Sequence, residues 1–193
     1  MINSRRMKES LVMRMLLASV GSVILTLALL VVIAPPAGAY ELMGGKYDDG
    51  SIDPISYRFF SVNSAYETAF KDAEAAWDAT SAPGYFQEQS WSWDPEINVI
   101  DGSYQYEWPA AMWYTITGDG TWDGNEVQID FNTRVMDDYT AYEKKLTAEH
   151  EIGHAYGLAH ETGCVIMHGA EYYFTCGGTF PKSDDVNGVD AIY

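Results

Sequence analysis

The stretch HEIGHAYGLAH, at residues 150–160, decides how the chain folds around a functional site. His150 and His154 are four residues apart, so on a helix their side chains lie on one face, one turn apart, and can point at the same ion. On an unbroken helix, His160 would lie about 15 Å along the axis from His150. Gly157 lets the chain turn, because glycine adopts left-handed backbone conformations without a Cβ penalty. The spacing therefore predicts three histidines that converge on one metal ion.

The residue types in this stretch favour zinc and hydrolytic chemistry. Zinc binds neutral imidazole, and three protein ligands leave a fourth position for water. Glu151 neighbours His150 and is expected to flank the metal, accept a proton from the zinc-bound water and pass it to the leaving nitrogen of a cleaved peptide bond. The chain has 4 histidines and three lie within this stretch, which disfavours the alternative of scattered surface histidines.

This stretch resembles the HExxHxxGxxH pattern of the metzincin metallopeptidases. Further features are similar to the matrixin branch, in the form of a minimal catalytic domain of the prokaryotic type. Met167, in CVIMHG, stands seven residues after His160, where these families have the methionine turn beneath the metal; an ordinary core methionine is the alternative. The ending DDVNGVDAIY is similar to the last matrixin helix, and YRFF followed by a helix ending in Trp77 is similar to the matrixin opening.

The resemblance implies an α+β, zincin-like fold. Its parts are a twisted five-stranded mixed sheet with one antiparallel edge strand, an active-site helix and a C-terminal helix. A substrate would bind along the edge as an added strand. Glu161 stands where matrixins usually have serine, and His168-Gly169-Ala170 replaces their pattern after the methionine, so the resemblance does not transfer a specificity. No PRCGxPD-like propeptide switch is present.

Local patterns in the sequence agree with about five strands and three helices. Residues 64–80 and 140–156 have helical spacing, and a last helix is expected to begin at Ser183 as its N-cap. Residues 85–93 are aromatic without a clear period and stay unassigned. β-Branched and aromatic content predicts strands at Ile55–Val62, Ile97–Asp101, Tyr104–Trp108, Met112–Thr117 and Val127–Asn132.

The first 39 residues have the parts of a signal peptide. A basic start precedes an uncharged run at residues 15–34, and Ala37-Gly38-Ala39 offers a cleavage site. The run is also long enough for an uncleaved membrane anchor, which is the alternative. In both cases the rest of the chain is expected outside the cytoplasm, secreted or displayed. Residues 40–54 are predicted to be an extended lead-in and residues 55–193 the catalytic domain.

The charge of the chain limits its partners. Residues 1–39 hold four basic residues and Glu9, so the remainder has 27 acidic and 7 basic residues and a net charge of −20. Nucleic acid would be repelled. A soluble acidic surface is preferred here over selection for a basic substrate. A protein or peptide substrate is the expected partner, and the chain is expected to be a monomer.

Two residue pairs that follow the histidines are candidates for a disulfide and for the substrate pocket. Cys164 and Cys176 are the only cysteines, and an oxidising compartment would join them in a disulfide that braces the methionine turn; two free thiols are the alternative. Tyr172 or Tyr173 could line the substrate pocket or assist the oxyanion, and ordinary packing or surface exposure is an equal alternative.

The loop GDGTWDGNE is a candidate calcium site. Asp119, Asp123 and Glu126 could gather around Ca²⁺, although a solvated acidic turn is preferred because the spacing is not that of an EF-hand. His168 is expected to be structural or to lie at a rim, since a second zinc would need more histidines than the chain has.

The leading hypothesis from the sequence is a zinc metalloendopeptidase that acts outside the cell. One alternative is an extracellular binding module that holds zinc without turnover. Another is a surface or wall-associated structural domain, based on the 14 tyrosines, the 6 tryptophans and the acidic exterior.

Overall fold

The computed structural model describes residues 40–48, 52–90, 94–122 and 127–193. The predicted signal peptide at residues 1–39, with its alternative as an anchor, lies outside these residues and stays a prediction. Within the described ranges, none of the helices combines the length and the apolar character that a membrane span requires.

A five-stranded mixed sheet forms the centre of the fold. The strand order is β2-β1-β3-β5-β4. The first four strands in this order are parallel to one another. At one edge, β4 pairs with β5 in antiparallel orientation. This arrangement confirms the predicted fold class. The strands are β1 (Ile55–Phe60), β2 (Phe86–Glu88), β3 (Ile97–Gly102), β4 (Ala110–Trp113) and β5 (Val127–Asn132).

Within the described residues, five helices accompany the sheet. Two of them are long and pack against each other, and the other three are short. The C-terminal helix begins at Ser183, so the predicted N-cap is its first residue and Lys182 precedes it. The helices are α1 (Ser64–Asp78), α2 (Thr133–Met136), α3 (Ala141–Tyr156), α4 (Tyr173–Cys176) and α5 (Ser183–Asp190).

The strand predictions near the edge of the sheet were partly wrong. Residues 104–108 form a loop and not a strand, and β4 begins at Ala110, two residues before the predicted start at Met112. The aromatic rings of Tyr104 and Tyr106 pack on that of Trp108. These residues therefore contact one another in a loop and do not pair with a strand. β2 was missed, because it is three residues long and only Phe86 in it is buried. A strand this short leaves no period to detect.

The core joins the sheet to α1 and α3. Helical spacing places Tyr66, Phe70, Ala73 and Trp77 on one buried face of α1. The Trp77 indole donates a 3.0 Å hydrogen bond to the carbonyl of Glu149 on α3. A fully buried Trp is among the largest apolar contributions that one residue makes, about 3–5 kcal/mol relative to alanine. Trp77 therefore fixes α3, which carries two of the histidines, against α1.

Residues 40–48, the first part of the extended lead-in predicted for residues 40–54, lie against the exit of α3. The amide of Met43 donates to the carbonyl of Gly157 at 2.8 Å, and the amide of Ala159 donates to Glu41 at 2.8 Å. Leu42 and Leu158 form an isolated antiparallel bridge. These bonds hold the chain in place as it leaves the helix.

Candidate metal centre

Helix α3 positions the first two histidines. It begins with a capping box, in which the Thr140 hydroxyl accepts from the amide of Glu143 while the Glu143 carboxylate accepts from the amide of Thr140. His150 and His154 follow on one face, with ring centroids 4.6 Å apart. The helix ends at Gly157, where φ is 109°, a value that side chains with a Cβ rarely adopt.

The turn at Gly157 brings back the third histidine. An ideal Cβ at this position would lie 2.5 Å from the carbonyl oxygen of Gly45, so close approach as well as φ requires glycine. The chain then reverses and His160 faces the two helical histidines. The expected turn is thus present, and residues 40–48 pack against it.

The three imidazoles converge through their Nε2 atoms. His160 Nε2 lies 3.2 Å from His150 Nε2 and 3.1 Å from His154 Nε2. A tetrahedral zinc ion with nitrogen ligands at about 2.0–2.1 Å separates those nitrogens by about 3.3–3.4 Å. Among the residues that the structure describes, this triad is the one group of potential ligands close enough to hold a metal.

The other ring nitrogens fix the tautomers of two of the histidines. His150 Nδ1 lies 2.7 Å from the carbonyl of Ile166, and His154 Nδ1 lies 2.7 Å from the carbonyl of Leu158. A carbonyl only accepts, so Nδ1 carries the proton in both rings and leaves the Nε2 lone pair free. Such outer bonds are typical of metal-binding histidines. The donor set therefore fits a zinc ion.

Burial keeps these rings neutral. Desolvation, with a smaller contribution from His154, lowers the pKa of His150 well below its usual value. Desolvation also lowers the pKa of His154 to about 4 and lowers that of the more exposed His160. Neutral imidazole is the form that binds a metal, so the site is ready for an ion at neutral pH.

Glu151 lies beside the triad and is 4% exposed. Its Oε2 has no hydrogen-bond partner. Burial raises the pKa of Glu151 to about 8, partly offset by a backbone bond from Met112. A nearby divalent cation acts in the opposite direction, because positive charge favours the carboxylate. A buried carboxylate oxygen without a partner thus points to a group that binds at this place.

Met167 lies beneath the histidine helix in a buried turn. An ideal Cβ at Gly153 would lie 2.2 Å from Met167 Sδ, so the methionine packs directly on α3. The carbonyl of Met167 accepts from the amide of Glu161 at 2.8 Å. The methionine turn predicted at Met167 therefore lies directly against the helix that carries His150 and His154.

Asp185 is a site residue that the sequence analysis missed. Its carboxylate, buried in α5, accepts from the amides of Ile166 and Met167 at 3.2 and 3.3 Å and from that of Lys182 at 2.8 Å. It therefore ties the turn, and through the Ile166 carbonyl also His150, to the C-terminal helix. Its place in DDVNGVDAIY predicts only a residue near the start of the last helix, and no local pattern reveals its long-range bonds.

Cys164 and Cys176 form a disulfide. It links the segment before Met167 to the end of α4, and its Cα atoms are 5.7 Å apart. The alternative of two free thiols is excluded. The bridge closes the loop that carries the turn and Tyr173.

A cleft of about 340 Å³ runs past the three histidines and Glu151. Strand β4 forms one wall, and because β4 ends the order of the described strands, its outer edge pairs with none of them. Trp108 and Trp113 lie on the same wall and Met43 also contributes.

One buried side chain organises the loop before β4. The Asn132 amide donates to the carbonyls of Tyr106 and Trp108 at 3.1 and 3.0 Å, and its oxygen accepts from the amide of Tyr104 at 3.0 Å. Trp108 then stacks on Tyr106 with ring centroids 5.5 Å apart. The mispredicted strand is thus an ordered aromatic loop at the cleft.

The two candidate tyrosines have different surroundings. Tyr173 lines the cleft, is 3% exposed and stacks on His150 with ring centroids 5.4 Å apart. Tyr172 is 49% exposed and packs on His168. His168 lines the cleft as well, in agreement with a rim position. Tyr173 is therefore the stronger pocket candidate.

The calcium prediction gains no support. Asp119 accepts from the hydroxyls of Thr117 and Thr121, and these bonds lower the pKa of Asp119 to about 2. The carboxylate thus organises a turn. Asp123 and Glu126 lie outside the described residues.

Comparison with known proteins agrees with the motif. No family model matches the chain. Interstitial collagenase from Oryctolagus cuniculus is 26% identical over 136 residues, which cover 68% of this chain and 28% of the collagenase. The collagenase from Equus caballus matches with the same identity and coverage. The chain thus spans little more than a quarter of the length of these relatives.

Two solved structures are similar at lower identity. Myroilysin is 20% identical, with a TM-score of 0.43 over 60% of this chain and 52% of myroilysin. High choriolytic enzyme 1, a hatching enzyme zinc-protease from Oryzias latipes, is 15% identical, with a TM-score of 0.39 over 61% of this chain and 50% of the enzyme. The similarity to interstitial collagenase agrees with the resemblance drawn from the sequence: the chain is similar to a matrixin and carries the HExxHxxGxxH pattern at residues 150–160.

Proposed function

We propose that the chain is a zinc-dependent metalloendopeptidase that cleaves protein or peptide substrates outside the cytoplasm. The observation that carries this proposal is the convergence of three Nε2 atoms beside the buried, partnerless Oε2 of Glu151. The similarity to interstitial collagenase supports the same reaction class.

His150, His154 and His160 would hold the zinc ion. Bound there, zinc supplies Lewis-acid chemistry, because it lowers the pKa of water and polarises a carbonyl oxygen. The chain supplies the orientation: the Ile166 and Leu158 carbonyls hold the first two rings by their Nδ1 protons. Met167 and Asp185 support this arrangement from below.

Glu151 is assigned the role of general base. Its partnerless Oε2 takes a proton from the attacking water, and the same oxygen then delivers that proton to the nitrogen of the broken peptide bond. Burial excludes bulk water that would otherwise compete for the carboxylate. No covalent intermediate with the protein is needed.

Strand β4 is assigned the role of substrate template. Its outer edge pairs with none of the described strands, so an extended peptide can add there as a further strand and present one carbonyl to the metal centre. Trp108, Trp113 and Tyr173 would contact side chains of that peptide on either side of the cleaved bond.

The extracellular location belongs to the proposal. The disulfide is typical of oxidising compartments, and the predicted signal peptide agrees with it. The net charge of −20 on residues 40–193 would repel nucleic acid.

The test compares Glu151→Gln with the wild type and with Glu161→Gln, which removes the same charge from the neighbouring loop. The wild type and Glu161→Gln should cleave an unfolded protein and bind one zinc per chain. Glu151→Gln should bind zinc equally and lose at least about 10²-fold in kcat, as expected for removal of a general base. A wild type that binds one zinc and cleaves no substrate would support the zinc-holding binding module instead.

A further inference from the structure

The acidic and basic side chains that line the cleft have one sign of charge. Apart from histidines, the charged residues that line it are Glu151 and Glu171, and no lysine or arginine is among its described lining residues. Glu151 is assigned to the reaction. Glu171 has no role in the mechanism described above, although it shares the cleft with the metal centre.

Glu171 is held by a specific contact. The Tyr139 hydroxyl donates to Glu171 Oε1 at 2.6 Å. Tyr139 itself packs edge-on against Phe174, with ring centroids 5.4 Å apart. Glu171 also has a positive φ of 53°, a conformation in which non-glycine residues are uncommon. The carboxylate is therefore positioned and not free to follow solvent.

Its place in the chain puts Glu171 next to the reacting centre. Tyr173 follows two residues later and stacks directly on His150. Two residues span at most about 7 Å, so the Glu171 backbone stays within that distance of the backbone of Tyr173. Glu171 thus lines the same cleft as Tyr173 and His150, and its carboxylate is bonded to Tyr139, the residue before the N-cap of α3.

The unused acceptor capacity of this carboxylate determines what it can bind. An ionised carboxylate has about four acceptor positions, and the Tyr139 hydroxyl occupies one of them. An apolar side chain in this place would remove water from the carboxylate without a replacement partner. A guanidinium or ammonium group would satisfy it with charge-assisted hydrogen bonds.

We propose that Glu171 is a specificity-determining residue that selects a cationic side chain, arginine or lysine, next to the scissile bond. The inference rests on the proposed peptidase function. It also differs from the interpretation of the acidic exterior as a mere aid to solubility, because one positioned carboxylate carries the selection.

The test uses peptides that differ only in charge. Arginine or citrulline, its neutral near-isostere, is placed at the residue before or after the cleaved bond of a common peptide. In one of the two positions, wild-type kcat/KM should be about tenfold higher or more for arginine, the size of a charge-assisted bond. In Glu171→Gln this ratio should fall to about 1, while cleavage of the citrulline peptide stays within about twofold.

Two further variants separate specificity from folding and from general charge. Glu107→Gln removes one negative charge from a side chain that is 90% exposed, and it should keep the arginine preference. Tyr139→Phe removes the hydroxyl that positions Glu171 and should give an intermediate ratio. Thermal unfolding midpoints identify any variant that fails to fold. If Glu171→Gln fails to fold, the arginine-to-citrulline ratio of Tyr139→Phe tests the role of Glu171 instead.

A binding measurement keeps the inference testable if turnover is absent. Zinc-loaded Glu151→Gln should bind the arginine peptide more tightly than the citrulline peptide, measured by fluorescence anisotropy, and Glu151→Gln/Glu171→Gln should not distinguish them. Wild type without cleavage would count against the peptidase proposal alone. Two results would overturn the role of Glu171. One is equal cleavage and equal binding of the arginine and citrulline peptides, and the other is an arginine preference that persists in Glu171→Gln.

Discussion

Replacement of Gly157 by alanine tests how the third histidine reaches the metal centre. At φ 109° the backbone itself disfavours a Cβ, at a cost of about 1–3 kcal/mol. The new Cβ would also lie 2.5 Å from the Gly45 carbonyl oxygen and 3.1 Å from Ile192 Cδ1, and such overpacking costs about 1–3 kcal/mol more. Because the nearest atom is backbone, residues 40–48 or the His160 segment must shift. Gly157→Ala should therefore lower the free energy of unfolding by about 2–6 kcal/mol and weaken zinc binding.

Gly163 provides the matched control. Its φ of 98° is similar, but a Cβ there would meet nothing within 4 Å. Gly163→Ala should cost only the backbone contribution, about 1–3 kcal/mol, and leave zinc affinity unchanged. Urea unfolding in the presence of a chelator gives the two stabilities, and competition with a zinc indicator gives the affinities. Equal losses of stability in Gly157→Ala and Gly163→Ala, or an unchanged zinc affinity in Gly157→Ala, would refute the reasoning.

Two other predictions concern the cleft and the pH response. Asn132→Ala removes the donor of the Trp108 carbonyl and the acceptor of the Tyr104 amide, and leaves the Tyr106 carbonyl with Arg134 as its donor. Urea unfolding should therefore show a loss of about 2–4 kcal/mol, whereas zinc stoichiometry stays the same; a loss below about 0.5 kcal/mol would contradict the role of Asn132 in the loop. Zinc affinity should change little from pH 8 to about 6.5, the usual pKa of histidine, because burial lowers the pKa of all three histidines, that of His154 to about 4, and so extends their neutral, metal-binding form toward acid. Below that range protons compete for the rings and the affinity should fall; an affinity that is already halved between pH 8 and 7 would count against the buried triad.

The sequence predicted those parts of the fold that depend on local patterns. The helical spacing from Tyr66 to Trp77 and the run from Thr140 to Tyr156 gave both long helices within about two residues. The turn at Gly157 also followed from spacing alone, since no unbroken helix can bring His160 back.

The sequence could not place parts that depend on contacts between distant segments. Asp185 supports the methionine turn from 18 residues away in the chain, and Asn132 shapes residues 104–106 across 26–28 positions. Aromatic residues such as Tyr106 and Trp108 favour strands by propensity. Here the loop bonds of Asn132 outweigh that propensity, so the predicted strand at 104–108 was wrong.

The sequence also could not predict very short strands or the direction in which a side chain points. Strand β2 has three residues, one of them buried. Its residues form a strand because they pair with β1. The distinction between Tyr172 and Tyr173 depends on which ring faces His150, and neighbouring residues in a sequence do not reveal this.

Zinc K-edge X-ray absorption of the zinc-loaded protein tests the central claim most directly. One zinc per chain with three imidazole nitrogens at about 2.0–2.1 Å and one oxygen ligand from water is the expected result. A first shell with fewer than three imidazoles, or a protein that takes up no zinc, would contradict the metal centre formed by His150, His154 and His160.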